Sequence, residues 1–278
     1  PIGVQSFKVI RDDNYLYVDK TEYVYKLAST GRVYFLSRPR RFGKSLFLST
    51  LEAYFLGQKE LFKGLAIEKL EEAEKGKREI WQEYPVFYLD FNVGKYDCIE
   101  ALNTNFNVFL SDMEEKYGTS KAEDNFAKRF EGLLKRAYEK TGKQGVILID
   151  EYDKPLLQTM GVNEELNTEY KAVLKAFYSV LKSNDEYIRF AFLTGVTKFS
   201  KVSIFSDLNN LNDISINPEY SAICGISQEE LVEPFRPEIE TLAEKNELNY
   251  EDCISALKKR YDGYCFSYET ETMYNPFS

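Results

Sequence analysis

Two short stretches carry side chains suited to phosphate chemistry. Arg38-Pro39-Arg40-Arg41-Phe42-Gly43-Lys44-Ser45 ends on Gly-Lys-Ser, and Val146-Ile147-Leu148-Ile149-Asp150-Glu151 ends on two carboxylates. In a phosphate-binding loop of the GxxxxGK[ST] type, backbone N–H groups and a helix N-terminus hold phosphate oxygens. The Lys reaches the β- and γ-phosphates, and the hydroxyl binds Mg²⁺. On that reading the nucleotide lies against Arg40, Arg41, Phe42, Gly43, Lys44, Ser45 and Leu46, with Ser45 as a metal ligand. The first glycine of the pattern is absent, because Arg38 stands in its place. The competing reading is a basic turn capping a helix. It explains poorly why three arginines and a lysine crowd a helix N-terminus, where the macrodipole disfavours each positive charge by ~0.3–1 kcal/mol. A bound anion compensates that charge.

An apolar strand that delivers two acids at its C-terminal end matches the Walker B arrangement. There the first acid holds Mg²⁺, usually through water, and the second orients the attacking water. Asp150 takes the metal role and Glu151 the water. Taken alone, such a pair is more often a turn than a site; the Gly-Lys-Ser loop upstream is what makes it a site. Thr194 ends another apolar run, Arg189–Leu193. It has two readings: contact with the γ-phosphate or the lytic water, or an ordinary strand-terminal turn. Asp90, after Val86–Leu89, reads as a turn or capping acid before it reads as an outer-shell metal group. Arg38, Arg40 and Arg41 are candidates for phosphate contact or for an arginine finger serving a neighbouring subunit, and at least one for a structural ion pair. Tyr261-Asp262-Gly263-Tyr264 and Tyr274-Asn275-Pro276-Phe277 read as aromatic packing rather than base stacking.

Composition limits the alternatives. The 278 residues contain no histidine, which removes Ser-His-Asp triads, Cys-His pairs and His-ligated zinc. Base catalysis then falls to a carboxylate. With 36 basic and 45 acidic residues the net charge is −9, which argues against a broadly basic nucleic-acid surface. The 44% hydrophobic, 29% charged and 15% aromatic content is that of a globular, aromatic-packed chain. Cys98, Cys224, Cys253 and Cys265 show no CxxC spacing and read as reduced, mostly buried thiols. The longest apolar runs are strand-sized, far below the roughly 18 residues of a membrane span. The expectation is a soluble, cytoplasmic protein with no membrane partner.

The elements that must position these groups follow from periodicity. An extended entrance at Tyr15–Thr21 precedes a helix stopped at Gly31. Val33–Ser37 is a buried strand leading into the loop, and a helix carrying Phe47, Leu51, Tyr54 and Phe55 follows it. Val86–Phe91, Gly145–Ile149 and Ile188–Thr194 are further strands, with a fifth expected around Ala222-Ile223-Cys224. Amphipathic stripes mark long helices through Ile99–Met113, Phe126–Ala137 and Leu166–Leu181. Ser227 and Glu230 fit a capping box at the start of a helical region running to about 270. Apolar strands alternating with helices predict a mostly parallel sheet covered on both faces, with ligand groups at the strand C-terminal ends.

Together, RPRRFGKS at 38–45, YVDKT at 17–21, LIDEYDKP at 148–155, LTGV at 193–196 and YDGY at 261–264 resemble the bacterial AAA-ATPase-like family over essentially the whole chain. The missing first glycine is normal for that family. The resemblance implies an α/β, three-layer P-loop NTPase core of the ASCE/AAA-like type, residues 1–225 with an N-terminal extension, and a small C-terminal helical cap, 226–278. It implies ATP and Mg²⁺ as ligands. It also implies a PD-(D/E)XK nuclease-like domain in many relatives, absent here, so that the sequence is expected to continue beyond Ser278 and to meet nucleic acid only through that missing domain. The function expected is Mg²⁺-dependent ATP hydrolysis, with Lys44, Glu151 and Thr194 catalytic. The alternative is a nucleotide-gated interaction module, with little hydrolysis, that regulates a partner or the C-terminal domain. A homo-oligomer or a protein partner fits either reading.

Overall fold

Strands β1 (Val33–Ser37), β2 (Val86–Asp90), β3 (Gly145–Asp150), β4 (Ile188–Gly195) and β5 (Asn212–Asp213) form one all-parallel sheet in the order β2-β3-β4-β1-β5 in a computed structural model. It describes residues 3–197, 204–205, 210–268 and 270–276. β4 therefore lies between the strand that feeds the phosphate loop and the strand that ends in the acid pair. The register places Ile149 opposite Leu193 and Leu36 opposite Thr194, so Asp150, Thr194 and the start of the loop arrive at one edge of the sheet.

Strands β1, β3 and β4 are apolar because helices cover both faces, whereas β2, at one edge, alternates half-buried and buried positions. Tyr34, Leu36, Val146, Leu148, Phe190 and Phe192 pack toward α2 (Thr21–Thr30) and α3 (Lys44–Phe55). The alternate residues Val33, Phe35, Ile147, Ile149, Ala191 and Leu193 pack toward α5 (Ile99–Tyr117), α6 (Phe126–Thr141) and α8 (Glu164–Ser183). A strand buried on both faces has no polar side to alternate with. Asp150 and Thr194 continue the even-numbered series, so both carboxylate and hydroxyl emerge on the α3 face, where the phosphate loop is.

Apart from the fifth strand, the strands and long helices foreseen from periodicity are present, and the sheet bears out the expected α/β architecture. Several elements are additional: α1 (Phe7–Asp12), α4 (Ala66–Glu74) and α7 (Lys154–Thr159) are short and carry few apolar residues. The fifth strand requires correction. Ala222–Cys224 is a turn, and the edge strand is the two-residue Asn212–Asp213, paired with Tyr34 and Phe35. An apolar triplet marks burial, and Ile223 and Cys224 are indeed buried, but strand identity depends on a neighbour with free N–H and C=O groups. Residues 15–20 belong to no helix or strand. The C-terminal helices α9 (Gln228–Val232), α10 (Arg236–Lys245) and α11 (Tyr250–Tyr261) close a small cluster around Ile239, Ala243 and Cys253. Helix ends at Tyr261 rather than near 270, and the chain continues through isolated bridges, Tyr264 with Met273 and Ile226 with Tyr274. Phe277 lies outside the described residues. Among the described residues no helix is long and apolar enough to cross a membrane.

Candidate functional site

The loop after β1 turns twice through left-handed backbone, at Arg41 (φ 66°) and Gly43 (φ 90°). Gly43 is then the N-cap of α3. No added Cβ at Gly43 would meet another atom, so glycine is required there for its backbone conformation rather than for space. Lys44 begins the helix, and although charged it is only 3% exposed. Its ammonium donates to the carbonyls of Arg38 (3.1 Å) and Pro39 (3.2 Å) and lies 3.0 Å from Glu151 Oε1. Glu151 is itself in a left-handed conformation, φ 51°. That is uncommon for a residue other than glycine and is typical of strain kept at working sites.

Asp150 is buried, and its Oδ1 accepts the Thr194 hydroxyl at 2.5 Å. The same hydroxyl oxygen accepts the Glu151 backbone N–H at 3.4 Å. Thr194 thus sits between the two acids of the pair, joined to both. Among the described residues no cationic side chain lies within ion-pair distance of Asp150. A buried carboxylate in that position is met by the Thr194 hydroxyl rather than by an ion pair, a chemistry suited to holding a cation. No cluster of three or more His, Cys, Asp or Glu side chains with metal-cage geometry occurs among the described residues. Mg²⁺ in nucleotide sites is held by one or two protein groups plus phosphate and water, so no such cage is needed. Ser45 follows Lys44 in the first turn of α3, half-buried, and Leu46 turns its side chain toward the α3-side core.

The basic cluster divides in two. Arg40 and Arg41 are exposed at the loop surface. Arg38 is 1% exposed and points into the protein, donating to the carbonyls of Ser37 (3.0 Å), Ser215 (2.7 Å), Tyr220 (3.0 Å) and Ser221 (3.4 Å). Its role is structural, held by backbone carbonyls. Burial lowers its pKa from the ordinary arginine value, with Cys224 and Asp213 opposing. Phe42 is wholly buried, so within the loop its side chain belongs to the core. Asp90 accepts the Asn92 backbone N–H at 2.6 Å, the local turn its position suggested, and burial raises its carboxyl pKa.

One site residue gave no usable signal in sequence. Asp153 is fully buried and its Oδ2 accepts Val196 N–H (3.0 Å), Thr197 N–H (2.7 Å) and the Thr197 hydroxyl (2.7 Å). The Tyr152 N–H donates to Thr194 O at 2.9 Å and its hydroxyl to Thr197 O at 3.0 Å. Gly195 lies so close that a Cβ there would come within 2.4 Å of the Tyr152 ring. These bonds lash the end of β4 to the turn after β3, which fixes Thr194 against the acids. The sequence showed an Asp three residues after the acid pair's first member, with nothing to say where it pointed. The thiols divide evenly: Cys224 and Cys253 are buried, while Cys98 and Cys265 are exposed, and all four are free. Half of the expectation that they are buried is therefore corrected. Burial raises the Cys224 pKa despite nearby Arg38, Lys44 and Lys20, which keeps that thiol inert.

A curated relative, described as "Uncharacterized protein in vnfD 5'region" of Azotobacter chroococcum mcd 1, is 39% identical over 279 residues. The alignment covers 100% of this chain and 50% of the relative, so the chain spans about half the relative's length. The family described as "Predicted AAA-ATPase" matches residues 1–205, which hold the loop, the acid pair and Thr194. The chain belongs to this AAA-ATPase-like family.

Proposed function

We propose that the chain binds ATP and hydrolyses it in a Mg²⁺-dependent reaction. The observation that carries this reading is the convergence of Lys44, Asp150, Glu151 and Thr194 at the N-terminus of α3, with Lys44 3.0 Å from Glu151. The backbone of 40–46 would cradle the phosphates, with the Lys44 ammonium meeting the β- and γ-phosphates. Ser45 and Asp150 would hold Mg²⁺, which when bound supplies neutralisation of phosphate charge. Glu151 would take a proton from water as the water oxygen bonds the γ-phosphorus and the bond to the ADP oxygen breaks. Thr194 would hold Asp150 and the Glu151 backbone in place. Arg40 or Arg41, both at the surface, would reach phosphate or a neighbouring subunit. Such a protein works in the cytoplasm, without a membrane.

Glu151→Gln keeps the side-chain shape and removes the base. It should retain ATP binding and lose phosphate release, while Lys44→Ala should lose both. Unchanged turnover in the Glu151 variant would sink the mechanism.

A second reading is favoured by one feature, the ion pair between Lys44 and Glu151 itself. It engages the phosphate-binding cation and the base with each other, as expected of a nucleotide-gated module that hydrolyses little until a partner or further domain rearranges the site. Phosphate release that is slow alone and rises on adding a partner would favour it.

A further inference from the structure

Arg38 opens the phosphate loop and Phe42 lies within it, and both side chains leave it to contact the C-terminal segment. The Phe42 ring packs edge-on against Tyr264, centroids 4.7 Å apart, and against Phe266 at 5.3 Å. Its carbonyl accepts the Gly225 N–H at 3.0 Å. Gly225 has φ +88°, and a Cβ there would come within 2.9 Å of the Phe42 ring. The Arg38 guanidinium lies 3.9 Å from the Phe266 ring centroid. The segment carrying these rings is pinned in turn. Met273 N–H donates to Tyr264 O (2.8 Å), Tyr274 N–H to Ile226 O (2.8 Å), and the Tyr274 hydroxyl to Gln228 Oε1 (2.6 Å).

The loop lacks the first glycine of its pattern, and its shape is held from outside instead. A phosphate loop works by pre-aiming its N–H groups, so what clamps its backbone sets its affinity for phosphate. We infer that residues 262–268 and 270–274 form a strap that belongs to the nucleotide site, with Tyr264 and Phe266 as positioning residues that hold Phe42 and Arg38. The strap lies beyond residues 1–205 matched by the family. The inference rests on the ATP-binding reading and adds an element that reading does not use. Because coupling is reciprocal, nucleotide in the loop must also steady the strap.

Cys265, an exposed thiol between the two rings, reports on the strap directly. The experiment uses the full chain in a Cys98→Ser background, leaving the other two cysteines buried, and measures ATP affinity by equilibrium dialysis alongside the alkylation rate of Cys265. Saturating ATP should slow alkylation several-fold. Tyr264→Ala with Phe266→Ala should weaken ATP binding about tenfold and raise KM more than it lowers kcat, while Tyr264→Phe, which keeps the ring, restores both. ATP affinity unchanged in a folded double variant, or alkylation indifferent to bound ATP, overturns the strap and leaves the nucleotide reading standing. Absence of ATP binding to the unaltered chain overturns both. Should the double variant fail to fold, the alkylation rate on the intact strap decides the question.

Discussion

The Lys44–Glu151 ion pair is open to a double-mutant cycle whose size follows from its geometry. The charged atoms are 3.0 Å apart, with side-chain exposures of 3% and 12%. At an effective dielectric of about 20, unit charges at that separation attract by roughly 5 kcal/mol. Desolvation opposes this by several kcal/mol per buried ion, and Lys44 keeps two other acceptors in the Arg38 and Pro39 carbonyls. The coupling left to the pair is about 1–3 kcal/mol. Lys44→Met strands a largely buried carboxylate and Glu151→Gln leaves the ammonium with carbonyls alone, so each should destabilise by about 2–4 kcal/mol. The double variant should lose less than their sum. Urea unfolding of the four proteins reads the cycle directly. Single-variant losses that add to within ~0.5 kcal/mol would refute the coupling. The pair also competes with phosphate for Lys44. Glu151→Gln should therefore bind ATP more tightly by several-fold, up to about tenfold for each 1.4 kcal/mol of competition removed. Equal or weaker binding would show that Glu151 does not hold Lys44 away from the nucleotide.

Asp153→Asn should destabilise the fold by about 2–4 kcal/mol, because its amide group would face N–H donors where a carboxylate now accepts charge-assisted bonds. Denaturant melts check this, and a loss below ~0.5 kcal/mol would count against the clamp. Burial raises the Asp90 pKa, so the folded state binds this proton more tightly than the unfolded one. Its contribution favours folding at low pH and is lost as pH rises from about 4 through the folded value. Asp90→Asn, which can still accept the Asn92 N–H, should gain stability relative to the parent as pH rises through that window. A stability difference independent of pH would contradict the assignment.

Much of the fold was legible because its strands are covered on both faces. Val146–Ile149 and Arg189–Leu193 are almost continuously apolar, and the long helices α5, α6 and α8 show unbroken stripes. The short elements α1, α4 and α7 were not, since a helix of one or two turns carries too few apolar positions to define a period. The edge strand at Asn212–Asp213 is polar, brief and half-exposed, so only its pairing with β1 identifies it. Ser227 and Glu230 form the capping box expected of them. Glu230 also receives Lys20 at 2.5 Å, a contact across most of the chain that no local pattern encodes.

The candidate site shows the same division. Residue type and spacing by themselves determined that Gly43, Lys44 and Ser45 follow a strand and open a helix, and that Asp150 and Glu151 end another. Both are local properties of hydrophobic period and backbone conformation. Only the tertiary structure decided that Thr194 joins both acids, that Lys44 faces Glu151, that Asp153 fastens the turn beside them, and that Arg38 and Phe42 turn away from the loop surface into the protein. The reason is physical. Which side chains meet at the end of a parallel sheet depends on strand order and register, set by burying both faces at once. No stretch of the chain contains that information alone.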